Sequence, residues 1–223
     1  MCLIALSVTK SKDWNNKDAY FYKVIANRDE YHERKTTEMH WWSNKDLLAG
    51  KDEQAGGTWL GINKDGRFAA ITNLKENNDK KYLSSRGSLV TEFLESTLSA
   101  KAYLEDLEKE KENFAGFNLI VGDKNGLFYL CNRLEGIFFL HEGTHALGNL
   151  TLNASTSKVE SIKGDLDLLI HNGFNESDAI NLMKKEFGNL HEKTKKELKV
   201  RDGEEIPYRF IRSPIYGTRC TTV

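Results

Sequence analysis

The sequence predicts an α+β fold in which helices are kept apart from antiparallel strands. Strand-like and helix-like segments follow one another in blocks: strands, helices, strands, helices and strands. Turns at residues 63–66 and 123–126, each ending in glycine, join short apolar runs as hairpins. No internal repeat and no linker rich in Pro, Gly or Ser interrupts the chain. Residues 1–223 are therefore predicted to form a single domain.

The first third of the chain has strand character. Residues 3–9 and 20–26 are apolar, β-branched or aromatic runs of strand length, with a polar turn region at 12–18 between them. Residues 57–62 and 68–72 flank the first hairpin turn. These segments predict four strands, of which the last two form a hairpin.

The spacing of apolar residues changes from Ser88 onward. Leucine and phenylalanine recur at helical spacing over residues 88–98 and, after a break near Ser99, an apolar series continues over 103–107. The pattern predicts two helices packed on one face of a sheet.

Further strands and a second helical zone complete the order. Amphipathic segments at 159–171 and 177–187 predict two helices, with Ser177 as the N-cap of the second. The remaining predicted strands are residues 117–121, 127–131, 137–140, 208–212 and 218–223.

Composition and charge exclude several classes of protein. The 32 Lys and Arg against 33 Asp and Glu give a net charge of -1, which removes the basic field that non-specific nucleic-acid binding needs. No stretch approaches the roughly 18 apolar residues of a membrane span. The start of the chain lacks the basic lead of a secretory signal. Three cysteines without close spacing favour a reducing compartment, so we expect a cytoplasmic protein.

Cys2 is placed unlike the other cysteines. If Met1 is removed, Cys2 carries its own α-amine, whose usual pKa of about 7.7 to 8.0 leaves part of it as free base near neutral pH. One residue then supplies both the nucleophile and the base. The alternative is that Cys2 is a small buried apolar residue of the first strand.

A charged segment, Ala26-Asn27-Arg28-Asp29-Glu30, follows the second strand without a break. One interpretation is that the chain has reached the solvated edge of a sheet. The other is that the second strand pairs with the first and places Arg28 or Asp29 beside Cys2. A cation there lowers a thiol pKa, and a carboxylate orients an amine.

Seven motifs spread along the whole chain resemble those of the NRDE family, the transport and Golgi organisation protein 2 homologues. They are Met1-Cys2-Leu3-Ile4, Asn27-Arg28-Asp29-Glu30, Ala55-Gly56-Gly57-Thr58-Trp59-Leu60-Gly61, Gly66-Arg67-Phe68-Ala69-Ala70 with Thr72-Asn73, Arg86-Gly87, Gly116-Phe117-Asn118-Leu119 and Tyr216-Gly217-Thr218-Arg219. The resemblance implies an N-terminal-nucleophile hydrolase-like fold, a four-layer αββα sandwich of two antiparallel sheets with helices on both outer faces.

Looser similarity to the penicillin V acylase and bile-salt hydrolase group implies site roles. Cys2 would be the nucleophile, Asp29 would contact the terminal amine and Arg28 would tune the thiolate. The other implied catalytic residues are Asn73 as an oxyanion donor, Asn149 on the substrate side and Arg219 as support for the thiol. The implied ligand-binding residues are Asn27, Glu30, Gly57, Thr58, Trp59, Arg86 and His145.

The segment His141-Glu142-Gly143-Thr144-His145 matches the pattern of zinc proteases. That pattern needs both histidines on one helical face, whereas Glu142-Gly143 favours a turn. We therefore expect no metal site here.

Two functions remain open on the sequence. The first is a cysteine amidohydrolase that cleaves a C–N bond of a small-molecule amide. The second, implied by the family resemblance, is a non-enzymatic protein that handles haem or an acyl-CoA or other lipid, with Arg28, Arg86 and Arg219 pairing with anionic groups. Neither requires a resident cofactor, and the second allows haem as a transported ligand.

Overall fold

A computed structural model describes residues 2–10, 20–76, 82, 84–185 and 208–223. Within these ranges the chain forms strands and four α-helices in two antiparallel sheets, which confirms the α+β prediction. The strands are β1 Cys2–Lys10, β2 Tyr20–Tyr31, β3 Thr36–Trp41, β4 Leu47–Asp52, β5 Leu60–Asn63, β6 Phe68–Asn73, β7 Phe117–Asp123, β8 Gly126–Cys131, β9 Phe138–Leu140, β10 Gly143–Leu147 and β11 Tyr216–Thr222. The helices are α1 Arg86–Glu95, α2 Ala100–Glu108, α3 Ser157–His171 and α4 Glu176–Met183.

The described residues separate into two compact units. The first unit lies within Met1–Ser7, Tyr22–Arg34 and Gly143–Val223, and the second within Val8–Phe21 and Lys35–Glu142. The single domain over 1–223 stays a prediction. None of the described helices is both long and apolar enough to cross a bilayer.

The first unit is built on a sheet with strand order β10-β1-β2-β11. Helices α3 and α4 pack on one face of it through a shared apolar core. From the sheet this core takes Leu3, Ala5, Ile25 and Ala146, and from the helices Val159, Ile162, Leu166, Ala179 and Met183. Side chains alternate along a strand, so the odd-numbered residues of β1 and β2 face the helices.

In the second unit, β3 to β9 form a sheet in chain order. Its β5–β6 and β7–β8 pairs are the two predicted hairpins. Helices α1 and α2 pack on one face, where Phe93 and Leu104 meet Ile71, Leu119 and Val121. This confirms the predicted helix pair on a sheet, with the break at Ser99 serving as the N-cap of α2.

Several predicted boundaries are wrong. Asn175, not Ser177, caps α4, because its side chain accepts a hydrogen bond from the Asp178 backbone N–H. Residues 208–212 form no strand, only an isolated bridge at Arg212. The Asn27 side chain binds the Arg209 carbonyl and the Thr218 hydroxyl binds the Ile211 N–H, so these backbone groups are not available to a neighbouring strand. Strands β3, β4 and β10 were not predicted. The predicted turn at 12–18 lies outside the described residues.

An ion pair between the buried Arg209 and the half-buried Asp165 ties the segment after residue 207 to α3. The Arg209 side chain is 1% exposed, and its Nη2 lies 2.6 Å from Asp165 Oδ2. Burial raises the pKa of Asp165, but hydrogen bonding and the charge of Arg209 outweigh it and hold the pKa below its usual value. The carboxylate therefore stabilises the fold above its unfolded pKa, and this contribution is lost as pH falls through the lower folded pKa.

Replacing Asp165 tests this tie. We expect Asp165→Asn to lower the free energy of unfolding by about 2 kcal/mol at neutral pH, because it leaves a buried guanidinium without its carboxylate. Urea unfolding at pH 7 and pH 3 should show the difference from wild type shrinking at acid pH. Glu160→Gln, on the exposed side of the same helix, is the control. An equal difference at both pH values would contradict the assignment.

Candidate active site at the start of β1

Cys2 opens β1, which lies between β10 and β2 in the first unit. Its neighbour β2 carries the charged segment Asn27-Arg28-Asp29-Glu30 inside the strand. Arg28 is 4% exposed and Asp29 is 1% exposed. The interpretation of this segment as a solvated sheet edge is therefore wrong, and the alternative that the second strand lies beside the first holds.

The Cys2 side chain is half-buried and its thiol is held neutral. Burial raises its pKa and the Asp29 carboxylate raises it further. The charge of the chain's N-terminal amine, the Asp29 backbone N–H, which donates to the sulfur, and the charge of Arg28 act in the opposite direction without reversing the shift. The charge of Arg28 lowers the pKa of the thiol, as expected of a cation, but the effect of burial is larger. Ionisation of Cys2 near neutral pH consequently requires a base.

Asp29 is a buried carboxyl group with a defined orientation. Thr218 lies opposite it on β11, and the Thr218 hydroxyl donates to Asp29 Oδ1 at 2.6 Å. Burial raises the pKa of Asp29, while the charge of the chain's N-terminal amine, the charge of Lys158, the Thr218 hydrogen bond and the charge of Arg28 lower it without cancelling the effect of burial. The carboxyl group therefore stays protonated to a higher pH than an exposed aspartate does.

An irregular register in β11 separates the residues that face this segment. Thr218 pairs with Asp29 and Cys220 pairs with Arg28, so Arg219 is an extra residue between them. The Arg219 side chain is exposed and donates to His32 Nδ1 at 2.7 Å. Support of the thiol by Arg219 stays a prediction, whereas Arg28 is the arginine whose charge lowers the pKa of Cys2.

Asn27 and Glu30 have partners within the protein. Asn27 is 1% exposed and its amide donates to the backbone carbonyls of Met183 and Arg209 at 2.9 and 2.7 Å. Its Oδ1 accepts from the Thr221 hydroxyl at 2.8 Å. Glu30 forms ion pairs with two arginines, at 3.7 Å to Arg28 and 3.6 Å to Arg34. Their predicted ligand-binding roles remain untested.

His145 and Asn149 belong to the segment that contains β10, the first strand in the order of the sheet in the first unit. His145 is within the strand, half-buried, and its Nδ1 is 3.1 Å from the Asn153 amide. Asn149 follows the strand and is buried. The zinc-protease pattern falls across the gap between β9 and β10 instead of a helix, with Gly143 at a φ of 124°. No cluster of three or more metal-ligating side chains occurs among the described residues.

The other predicted site residues belong to the second unit. Asn73 is exposed at the end of β6, opposite Phe117. Thr58 and Gly57 pack on the backbone of Gly87, where a Cβ added to Gly57 would lie 2.8 Å from the Gly87 carbonyl. The Trp59 ring packs against the core of the unit.

Arg86, also in the second unit, donates to the Gly116 carbonyl at 2.9 Å. Each arginine proposed for an anionic ligand therefore already interacts with a group of the protein. The haem or lipid carrier function stays a prediction.

Four neighbours of the Cys2–Asp29 pair were missed by the sequence reasoning as functional candidates: Thr218, Lys158, Tyr216 and Cys220. Burial raises the pKa of the Tyr216 phenol, and the charges of Asp29 and Cys2 raise it further, so it stays protonated. Burial likewise raises the pKa of Cys220 to about 11. Of these four, only Lys158 could have been identified from the sequence, because it places a charge on the apolar stripe of its helix, four residues before Ile162.

A family sequence model and the curated relatives of the chain point to the same family. The sequence model of the family described as Transport and Golgi organisation 2 matches residues 1–223. The chain is 35% identical over 154 residues to the Transport and Golgi organization protein 2 homolog of Bos taurus, and 34% identical over 154 residues to that of Homo sapiens. Each alignment covers 65% of this chain and 56% of the relative, so the chain spans about half the length of these curated relatives.

Among solved structures, the chain is similar to the Caenorhabditis elegans ortholog of N-acylethanolamine-hydrolyzing acid amidase. The TM-score is 0.55 at 10% sequence identity, over 82% of this chain and 86% of that one. At this identity the likeness shows the fold, which is that of N-terminal-nucleophile hydrolases, as the sequence resemblance implied. The family match spans every residue from the Met-Cys start to the last strand, and the chain belongs to the Transport and Golgi organisation 2 family.

Proposed function

We propose that this protein is a cysteine amidohydrolase in which removal of Met1 makes Cys2 the N-terminal nucleophile. The observation that carries the proposal is the buried Asp29 carboxyl beside Cys2, held by the Thr218 hydroxyl. The fold likeness to an acid amidase agrees with it. That neighbour is named for hydrolysing N-acylethanolamines, which are amides, and we extend only the amide class to this chain.

The raised pKa of the Cys2 thiol favours a mechanism with an adjacent base. A cysteine that works as a preformed thiolate needs its pKa lowered by nearby cations, and here burial outweighs Arg28. The α-amine of Cys2 is a base within the same residue, with a usual pKa of about 7.7 to 8.0. The amine takes the thiol proton, and the Asp29 carboxylate stabilises the resulting ammonium.

The reaction then follows acyl transfer. Sγ of Cys2 bonds to the amide carbonyl carbon, and the C–N bond breaks as the ammonium returns its proton to the leaving amine. Water, deprotonated by the same α-amine, attacks the thioester and releases the carboxylic acid and the free thiol. Asn149, in the same unit as Cys2, is the predicted donor on the substrate side.

Cys2→Ala tests the proposal. The wild-type protein should lack Met1 by intact mass and should release free amine from at least one member of a panel of N-acyl amides, whereas Cys2→Ala should show no turnover above background. Peptide mapping after treatment with an electrophilic amide analogue should place the adduct on Cys2. Cys131→Ala, in the second unit, is the cysteine control. A retained Met1 in active protein, or full turnover by Cys2→Ala, would contradict the mechanism.

A further inference from the structure

A polar cavity in the second unit has no part in the mechanism above. Its volume is about 400 Å³, which is within the range of small-molecule sites. Three connections of the unit meet there: the β5–β6 turn, the junction between α1 and α2, and the β7–β8 turn. Every side chain that lines it is polar or charged, among them Asp65, Arg67, Ser96, Asp123 and Lys124. The cavity therefore suits a small hydrophilic molecule and offers no wall to an apolar one.

Arg67 is the buried cation of this cavity. It is the second residue of the motif that begins at Gly66, it lies just before β6, and it is 8% exposed. Its Cζ lies 4.1 Å from the centroid of the Phe93 ring. Its Nη2 donates to the Phe93 carbonyl at 3.0 Å and to Ser96 Oγ at 3.1 Å. The end of α1 therefore fixes the position of the guanidinium.

The rest of the Arg67 guanidinium lacks acceptors. Nε is buried, and neither Nε nor Nη1 donates to any residue in the described ranges. A guanidinium is a donor at each of its nitrogens and stays charged near neutral pH, so its burial without acceptors is unfavourable. Burial lowers the pKa of Arg67, and the charges of Asp123 and Asp65 oppose this effect without cancelling it. A further group that accepts from Nη1 and carries negative charge would stabilise Arg67.

The two carboxylates that line the cavity differ in their contacts. Asp123 is buried and binds the backbone, since its Oδ2 accepts from the Ala100 N–H at 2.7 Å and its Oδ1 from the Asn125 N–H at 2.8 Å. Asp65 is exposed, as is Lys124, and neither of these two side chains bonds to another residue of the described chain. The cavity thus combines a fixed inner cation with exposed groups of both signs.

We propose that this cavity binds a small zwitterion of the amino-acid type, whose carboxylate accepts from Arg67 Nη1 and whose ammonium lies near Asp65. A ligand of a single sign would meet like charge, because an anion faces Asp65 and Asp123 and a cation faces Arg67 and Lys124. A zwitterion meets an opposite charge at each end, and the hydrogen bond from a guanidinium to a carboxylate is a strong one. The inference goes beyond amide hydrolysis, since all of these residues belong to the second unit and Cys2 to the first.

An NMR titration of the isotope-labelled protein with each of the standard amino acids tests the site directly. At least one amino acid should shift the backbone amides of residues 65–67, 96–100 and 123–125. Acetate and methylammonium should each bind on the order of tenfold more weakly than that amino acid, because each carries only one of its two charges. No shift at these amides with any amino acid would overturn the site. Acetate binding as tightly as the amino acid would overturn the zwitterion.

Two variants separate the ends of the ligand. Arg67→Lys should weaken both the amino acid and acetate, because an ammonium does not reproduce the donors of the planar guanidinium. Asp65→Asn should weaken the amino acid about fivefold without weakening acetate. It lies in an exposed turn, so it keeps the test available if Arg67→Lys does not fold. Asp106→Asn, an exposed aspartate of α2, is the matched control and should change neither affinity. Unchanged binding of the amino acid in Asp65→Asn would overturn the assignment of the ammonium end.

Discussion

Asp29→Asn is expected to reduce turnover of any amide substrate by about 10²- to 10³-fold without reducing stability, since it removes one charged group from the reacting centre. The carboxamide keeps the shape of the side chain, and the Thr218 hydroxyl can still donate to its oxygen. It cannot hold the ammonium that forms when the α-amine of Cys2 takes the thiol proton. Activity and stability should therefore separate in this variant.

The pH dependence follows from the direction of the Asp29 shift. Burial raises the folded pKa of Asp29 above its unfolded value, so protonated Asp29 favours the fold at acid pH. This contribution is lost as pH rises through the folded pKa. Above that pH, Asp29→Asn should match or exceed the wild type in urea unfolding. The wild-type profile of kcat/KM should fall on the acid side as Asp29 becomes protonated, at a pH above the usual range of aspartate.

Glu33→Gln, an exposed carboxylate shortly after the same strand, is the control for charge removal and should change neither quantity. A parallel loss of activity and stability in Asp29→Asn would contradict a catalytic role, because it would show that Asp29 is needed for the stability of the sheet.

Asn27→Ala should show the opposite behaviour, a loss of about 3 to 5 kcal/mol in the free energy of unfolding. The Asn27 amide is buried and forms three hydrogen bonds, two to the carbonyls of Met183 and Arg209 and one from the Thr221 hydroxyl. Truncation leaves these groups in the interior without that partner. Urea unfolding measures the loss.

Asn181→Ala, on the exposed side of α4, is the matched control and should change stability by less than about 0.5 kcal/mol. A loss in Asn27→Ala no larger than that of the control would contradict the structural role. In Asn27→Ala protein that remains folded at low temperature, the rate of Cys2 alkylation by iodoacetamide should resemble that of the wild type.

The motif Asn27-Arg28-Asp29-Glu30 thus divides by strand parity. Asn27 and Asp29 face the helices, where Asn27 joins β2 to α4 and Asp29 accepts a hydrogen bond from Thr218. Arg28 and Glu30 face the other way and form an ion pair with each other. A four-residue motif therefore carries both a structural tie and the charges of the candidate site, because successive side chains in a strand point to opposite faces.

Much of the fold could be predicted from local pattern. The two glycine turns, the helices beginning near residues 88 and 159, and the first strand are encoded by neighbouring residues and by the period of the apolar positions. The edge strand β3 escaped prediction because its segment, Thr36–Trp41, is largely polar and partly exposed. Residues 208–212 were predicted as a strand but form none, because the side chains of Asn27 and Thr218 bind their backbone. No local sequence pattern indicates contacts between residues so far apart.

The sequence alone determined the family, the block order of strands and helices, and the distinctive place of Cys2, since motifs and periodicity are properties of neighbouring residues. Only the tertiary structure decided that the charges of β2 are buried, that burial raises the pKa of the Cys2 thiol and that Lys158 is buried. The hydrogen bond from Thr218 to Asp29 joins residues 189 positions apart. Burial and charge pairing at such separations are set by how strands and helices pack, so they become visible only once the sheet is assembled.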